Sequence, residues 1–168
     1  MWKVQIREAT PIDAERFLKL LLEVESKADY MLFEAGERKT TVDKQRQQLE
    51  MIEKQENATI LLAEEKGELI GYLITIGGTT NRKKHTAYVV IGVLDGHKGK
   101  GIGTALFEQL DEWAIVHNIV RLELTVVTRN EAGVNLYKKM GFEVEGMKRK
   151  SFLVKDQFLD EFYMAKIR

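Results

Sequence analysis

The sequence predicts an α/β fold, with a single domain built on one mixed, mostly antiparallel sheet flanked by about four helices. Three observations predict it. The hydrophobic pattern switches between the periods of strand and helix along the chain. The run Thr86 to Leu94 is apolar almost throughout, as in a strand covered on both faces. After it come a glycine-rich turn, a helix and a strand over Arg121 to Val127, which together imply a right-handed parallel crossover.

Taken in order, Val4 to Glu8 alternates apolar and polar and reads as a half-buried strand. Thr10-Pro11-Ile12-Asp13 reads as a helix start, with Thr10 as cap, Pro11 in the first turn and Asp13 at the third position. Ala14, Phe17, Leu18, Leu21 and Leu22 then recur at helical spacing, carrying a first helix to about Ser26. Lys27 to Lys39 lacks periodicity and reads as a loop. A second helix is expected over Val42 to Glu56, with a thin stripe of Val42, Leu49 and Ile52. Ala58 to Glu64 and Glu68 to Ile76 form a hairpin around Glu65-Lys66-Gly67. Past the Gly77 to Arg82 loop and the apolar strand, a third helix is expected from Thr104 to about His117, with Trp113 on its core side. A fourth helix, Glu131 to Met140, stops at Gly141, and Phe142 to Leu153 pairs with Phe158 to Lys166.

Composition narrows the function. The 168 residues carry 26 Lys+Arg against 26 Asp+Glu, so no basic excess points to nucleic acid. No cysteine is present, which removes disulfides, thiolate metal sites and cysteine nucleophiles. The three histidines are scattered without a metal-binding pattern, and no metal is expected. Met1 to Glu8 has no apolar signal-peptide core, and no apolar run is long enough to span a membrane. A cytoplasmic location with no membrane partner is the expectation.

The turn Lys98-Gly99-Lys100-Gly101-Ile102-Gly103 concentrates the chemistry. Glycines let backbone approach a ligand, and the first N–H groups of a helix lack internal partners and favour negative charge. Such a turn is a phosphate cradle. A P-loop is excluded because no lysine followed by Ser or Thr closes it, and the Gly-x-Gly-x-x-Gly spacing of dinucleotide folds is not met.

Val93 to Leu106, with Lys98-Gly99-Lys100-Gly101-Ile102-Gly103 at its centre, resembles the signature of the GNAT superfamily of acetyltransferases. Asn130 followed by Leu136-Tyr137-Lys138-Lys139-Met140-Gly141-Phe142 is similar to its second motif, and Ile6-Arg7 with Ala9 and Asp13 to its opening. Lys98 stands where relatives usually have Arg or Gln, and Gly133 where alanine is frequent. The resemblance implies a splayed parallel strand pair and acetyl-CoA as cosubstrate. Ile91, Gly92 and Val93 would pair with the pantetheine arm, while Lys98, Gly99, Lys100, Gly101, Ile102, Gly103 and Thr104 would hold the pyrophosphate. Asn130 would cap its helix or bond the arm, and Tyr137 would protonate the departing thiolate or, packed by its ring, only position the thiol.

Glu123, Glu64 and Tyr88 are candidates for deprotonating the acceptor, with none singled out. Tyr30, Phe33, Glu34 and Glu37 offer groups that suit a cationic amine. The expected partner is an amine-bearing small molecule, and a homodimer is compatible with the reading. The competing class is a non-catalytic acyl-CoA-binding sensor or interaction module.

Overall fold

The computed structural model describes residues 3–168; Met1 and Trp2, the start of the N-terminal stretch read above, lie outside the described residues. Strands are β1 (Gln5–Glu8), β2 (Ala58–Glu65), β3 (Glu68–Gly77), β4 (Thr86–Val93), β5 (Arg121–Val127), β6 (Glu143–Val154) and β7 (Gln157–Ile167). Helices are α1 (Ala14–Lys27), α2 (Val42–Glu53), α3 (Ile102–Val116) and α4 (Glu131–Lys139), with a 3-10 turn at Pro11–Asp13. The sheet runs β1-β2-β3-β4-β5-β7-β6, and among the described residues only β4 and β5 pair in parallel.

The hairpin turns follow from local backbone chemistry. Lys66 and Gly67 close β2–β3 with φ of 53° and 79°, and Lys155 and Asp156 close β6–β7 with 47° and 64°. Two successive left-handed residues match the twist of the strands they join.

Apolar clusters cover both faces of the sheet. On one, Leu106, Phe107, Leu110, Trp113 and Ala114 of α3 pack on Leu61, Leu73, Val89, Leu122 and Leu124. On the other, Phe17, Leu20, Leu21 and Val24 of α1 with Leu49 and Ile52 of α2 cover Ile60, Leu62 and Tyr72. Phe17 meets Tyr72 edge-on, with ring centroids 5.8 Å apart.

Three element details differ from expectation. Leu22 is exposed, because the buried stripe of α1 turns through Phe17, Leu21 and Val24, with Leu20 beside it. The second helix ends at Glu53 rather than Glu56, and Asn57, in the turn before β2, donates from Nδ2 to the Gly78 and Lys84 carbonyls of the loop between β3 and β4 at 2.9 and 3.1 Å. The third helix starts at Ile102, not Thr104, because left-handed Gly101 is its cap.

A partly buried ion pair fixes the entry to α1. Arg7 donates to both carboxylate oxygens of Asp13 at 2.8 and 2.9 Å, and the Thr10 N–H donates to Asp13 at 2.8 Å. The Arg7 guanidinium holds the Asp13 carboxyl below its ordinary 3.8. A depressed carboxylate stabilises the fold above its unfolded value and loses that contribution as pH falls through the folded one. Asp13→Asn is therefore expected to cost about 1.5–3 kcal/mol at neutral pH in urea unfolding. The gap to wild type should shrink once the pH drops below 3.8; a gap independent of pH would contradict the assignment.

Candidate active site

β4 and β5 pair at only three positions, Thr86 with Arg121, Ala87 with Leu122 and Tyr88 with Glu123. Beyond them the strands diverge, while β4 stays paired to β3 as far as Val93 and β5 to β7 as far as Val127. The Tyr88 hydroxyl and Thr125 Oγ1 bridge the two strands at 2.8 Å. The divergence opens a cleft of about 850 Å³, lined by Val89 to Val93 on one side and Leu124 to Val127 on the other. Ile91, Gly92 and Val93 thus lie on the opened wall. Gly92 is required by packing, since a Cβ there would stand 2.6 Å from the Tyr72 ring.

The glycine turn closes one end of the cleft. Gly99 and Gly101 have φ of 75° and 83°, and an added Cβ would meet nothing within 4 Å at either. Both are glycine for conformation, and the space over them is open. Among the described residues, none of the backbone N–H groups from Lys98 to Thr104 donates a hydrogen bond. These seven consecutive donors include the first three of α3, where the helix dipole adds positive potential. His97 lines the cleft with its buried Nδ1 unpartnered. Lys98 lines it as well, whereas Lys100 is exposed outside the lining and brings only its backbone N–H. Lys139, which the sequence reading did not single out, reaches from α4 to donate to the Thr104 hydroxyl at 3.3 Å. A row of free donors, an unpartnered imidazole nitrogen and two lysines fit a polyanion.

Across the cleft stands α4. Asn130 caps it, its Oδ1 accepting from the Gly133 N–H at 3.0 Å. That cap explains Gly133: a Cβ there would lie 2.7 Å from Asn130 Nδ2. Tyr137 is wedged edge-on against Phe107, at 5.7 Å between centroids, and tilted on Phe142 at 6.3 Å. Burial pushes its hydroxyl up to about 12, so it keeps its proton throughout the neutral range.

The α1–α2 side of the cleft holds polar groups that the sequence reading passed over. Glu25, only 3% exposed, takes both Nε and Nη2 of Arg38, whose guanidinium lies 4.5 Å over Phe33. Glu161 of β7, 9% exposed, accepts from the Ser151 hydroxyl at 2.8 Å. Of the four residues expected to face an amine, Tyr30 and Phe33 line the cleft; Glu34 and Glu37 do not, the Glu34 N–H donating to Glu37. Glu64 lies outside the lining, held by Arg7 and Arg16 at 3.5 and 3.4 Å. Glu123 is paired with Arg121 at 2.8 Å and lines a separate recess with Glu145 and Tyr163. Tyr88 borders both spaces.

Comparison with known proteins places this geometry. Residues 22–142 match the model of the Acetyltransferase (GNAT) family. The chain is 33% identical over 106 residues to the L-amino acid N-acetyltransferase AaaT of Escherichia coli, and 34% identical over 99 residues to an N-alpha-acetyltransferase of Sulfurisphaera tokodaii. The matches take in 61% and 54% of this chain and span 64% and 59% of those relatives, less than two thirds of either. The crystal structure of an acetyltransferase of the GNAT family from Streptococcus pneumoniae superposes with a TM-score of 0.94 and 30% identity over 98% of this chain and 99% of that one. The structure of yncA from Salmonella typhimurium with its cofactor acetyl-CoA shares the fold, with a TM-score of 0.86 and 19% identity over 98% and 93% of the two chains.

The left-handed cap gives a direct test of the turn. Gly101→Ala is expected to destabilise by about 1–2 kcal/mol in thermal unfolding, although its Cβ has free space. Gly101→Asn should lose less, because asparagine tolerates that conformation. Equal losses would show that φ is not what requires glycine.

Proposed function

The chain belongs to the acetyltransferase (GNAT) family, and we propose that it moves an acetyl group from acetyl-CoA to the primary amine of a small molecule by direct attack on the thioester. The observation that carries this reading is the row of unpaired N–H groups from Lys98 to Thr104 opening onto the fork between β4 and β5. The row would hold the pyrophosphate, with Lys98, Lys139 and His97 adding positive charge or donors. Past Tyr88 the β4 edge has no strand partner, and an extended amide-bearing arm suits it at Ile91, Gly92 and Val93. Asn130, in the lining beside that path, would contribute mainly as the cap of α4.

The ammonium first loses a proton to solvent water; attack of the neutral amine then makes a tetrahedral intermediate, and its collapse breaks the carbon–sulfur bond, sheds the surplus nitrogen proton to solvent and releases a thiolate. Tyr137 is the acid in this proposal. A free thiol has a pKa of about 8.5, so a phenol near 12 gives up its proton completely only where the same burial also raises the thiol. Otherwise Tyr137 donates a strong hydrogen bond to the departing sulfur. Such a bond to charge amounts to about 1.5–3 kcal/mol, or about 10- to 150-fold in rate. A full general-acid contribution is about 10²- to 10⁴-fold.

The name of the Escherichia coli relative supports a small acceptor, and aromatic Tyr30, Phe33, Tyr88 and Phe152 in the lining suit an amine with an apolar body. No helix among the described residues is long and apolar enough to cross a membrane, and the reading places the reaction in the cytoplasm. A homodimer through the edge strand β6 completes it, supported by exposed Val144 and Met147.

Free-thiol release from acetyl-CoA across a panel of amines tests the function. Turnover of at least one amine is expected; binding without turnover of any would leave a non-catalytic acyl-CoA module. Tyr137→Phe should lower kcat at least about tenfold with acetyl-CoA affinity unchanged. A kcat equal to wild type would remove Tyr137 from the chemistry.

A further inference from the structure

An acceptor amine reaches the enzyme as an ammonium ion, so the cleft must hold a negative group to receive it. Three carboxylates line it: Glu25, Asp29 and Glu161. Asp29 is exposed on the loop after α1. Both oxygens of Glu25 are engaged by Arg38. Glu161 differs. Its Oε1 accepts from the Ser151 hydroxyl at 2.8 Å and lies 3.9 Å from Lys148 Nζ, and its Oε2 makes no hydrogen bond among the described residues.

A carboxylate this buried is costly unless its charge is matched. Lys148 matches it poorly: 3.9 Å is at the outer limit of an ion pair, and the lysine side chain is 38% exposed. Pairs of that kind contribute about 0–1 kcal/mol. Nor does Glu161 hold the hairpin by its side chain alone, since backbone pairing joins it to Lys148 and Val127.

Position completes the case. Val127, opposite Glu161, lies four residues past Glu123, the last β5 residue paired with β4. Cross-strand partners share a face. Glu161 therefore lies on the same face as Thr125 and Tyr163, and Thr125 is bonded to Tyr88 at the fork. That face is opposite to the one packed by α3, where Leu122, Leu124 and Val126 point.

We propose that Oε2 of Glu161 receives the ammonium group of the acceptor, positioning a primary amine with an apolar body at the fork between β4 and β5. The inference rests on the acetyltransferase reading above. Ser151 orients the carboxylate by holding its other oxygen, and Tyr30, Phe33, Tyr88 and Phe152 enclose the carbon skeleton. None of the sequence candidates for handling the acceptor proton takes this role.

The test uses 2-phenylethylamine and n-butylamine as acceptors, thiol release for kinetics, and calorimetry for acetyl-CoA binding. Glu161→Gln keeps the shape and the oxygen that Ser151 needs, and removes the charge. KM for the amines should rise about ten- to hundredfold, the worth of a hydrogen bond to a charged group, with kcat changing far less. The Kd for acetyl-CoA should match wild type, which also reports that the variant is folded. Lys148→Ala should leave KM unchanged or lower it, because it removes a competitor for Glu161. A KM for Glu161→Gln within twofold of wild type overturns the inference. So does an equal rise in Lys148→Ala, which would assign the carboxylate to the hairpin. A wild-type enzyme that binds acetyl-CoA but turns over neither amine overturns the acceptor chemistry. Failure to bind acetyl-CoA would instead break the acetyltransferase reading itself.

Discussion

The early divergence of β4 and β5 is the constraint on which the rest of the structure depends. Each strand is anchored on its outer side by a long antiparallel partner, β3 for one and β7 for the other. Each half of the sheet is therefore stable without the central pairing. Backbone groups on the facing edges must find water or a ligand, because unpaired buried N–H and C=O groups are costly. The Tyr88–Thr125 bond sits at the branch point and holds its width. A fully zipped pair would give a continuous sheet with no place for a thioester. The fork is possible because both faces of the sheet carry their own clusters of helices and do not rely on the central strands alone.

The fork divides the chemistry by charge. At one end, free N–H groups and the positive end of α3 favour phosphate, with Lys98 and Lys139 beside them. On the α1–α2 face, Arg38 is neutralised by Glu25, and the carboxylate of Glu161 stays without a close cation. One site thus carries opposite potentials on its two sides, as the proposed pairing of an anionic donor with a cationic acceptor requires. Zero net charge hides this, because composition sums what the fold separates.

Much of the architecture was legible in the residues. Period changes located every helix and strand, and the hairpin turn at Lys66-Gly67 was visible because glycine suits the left-handed position it occupies. The glycine turn from Lys98 to Gly103 was legible for the same reason. Boundaries moved where a long-range contact decided them. Asn57 is fixed in the turn before β2 by loop carbonyls more than twenty residues away. The polar groups on the α1–α2 side of the cleft were hidden almost entirely: Glu25 and Arg38 are thirteen residues apart across a loop with no periodicity, and Glu161 looks like any acid in an alternating strand. Its burial depends on β5 and β6 closing around it. Glu64 and Glu123 attracted notice as acids on strands; Glu64 is occupied by Arg7 and Arg16 from other elements, and Glu123 by Arg121, two residues back on the same face of its own strand.

The most direct test of the central claim is an amide NMR titration with coenzyme A. The largest shifts should fall on the consecutive N–H groups from Lys98 to Thr104, Gly99, Gly101 and Gly103 among them, followed by residues along the open edge of β4. Binding that leaves those seven amides unmoved, or moves residues away from the fork instead, would contradict the account.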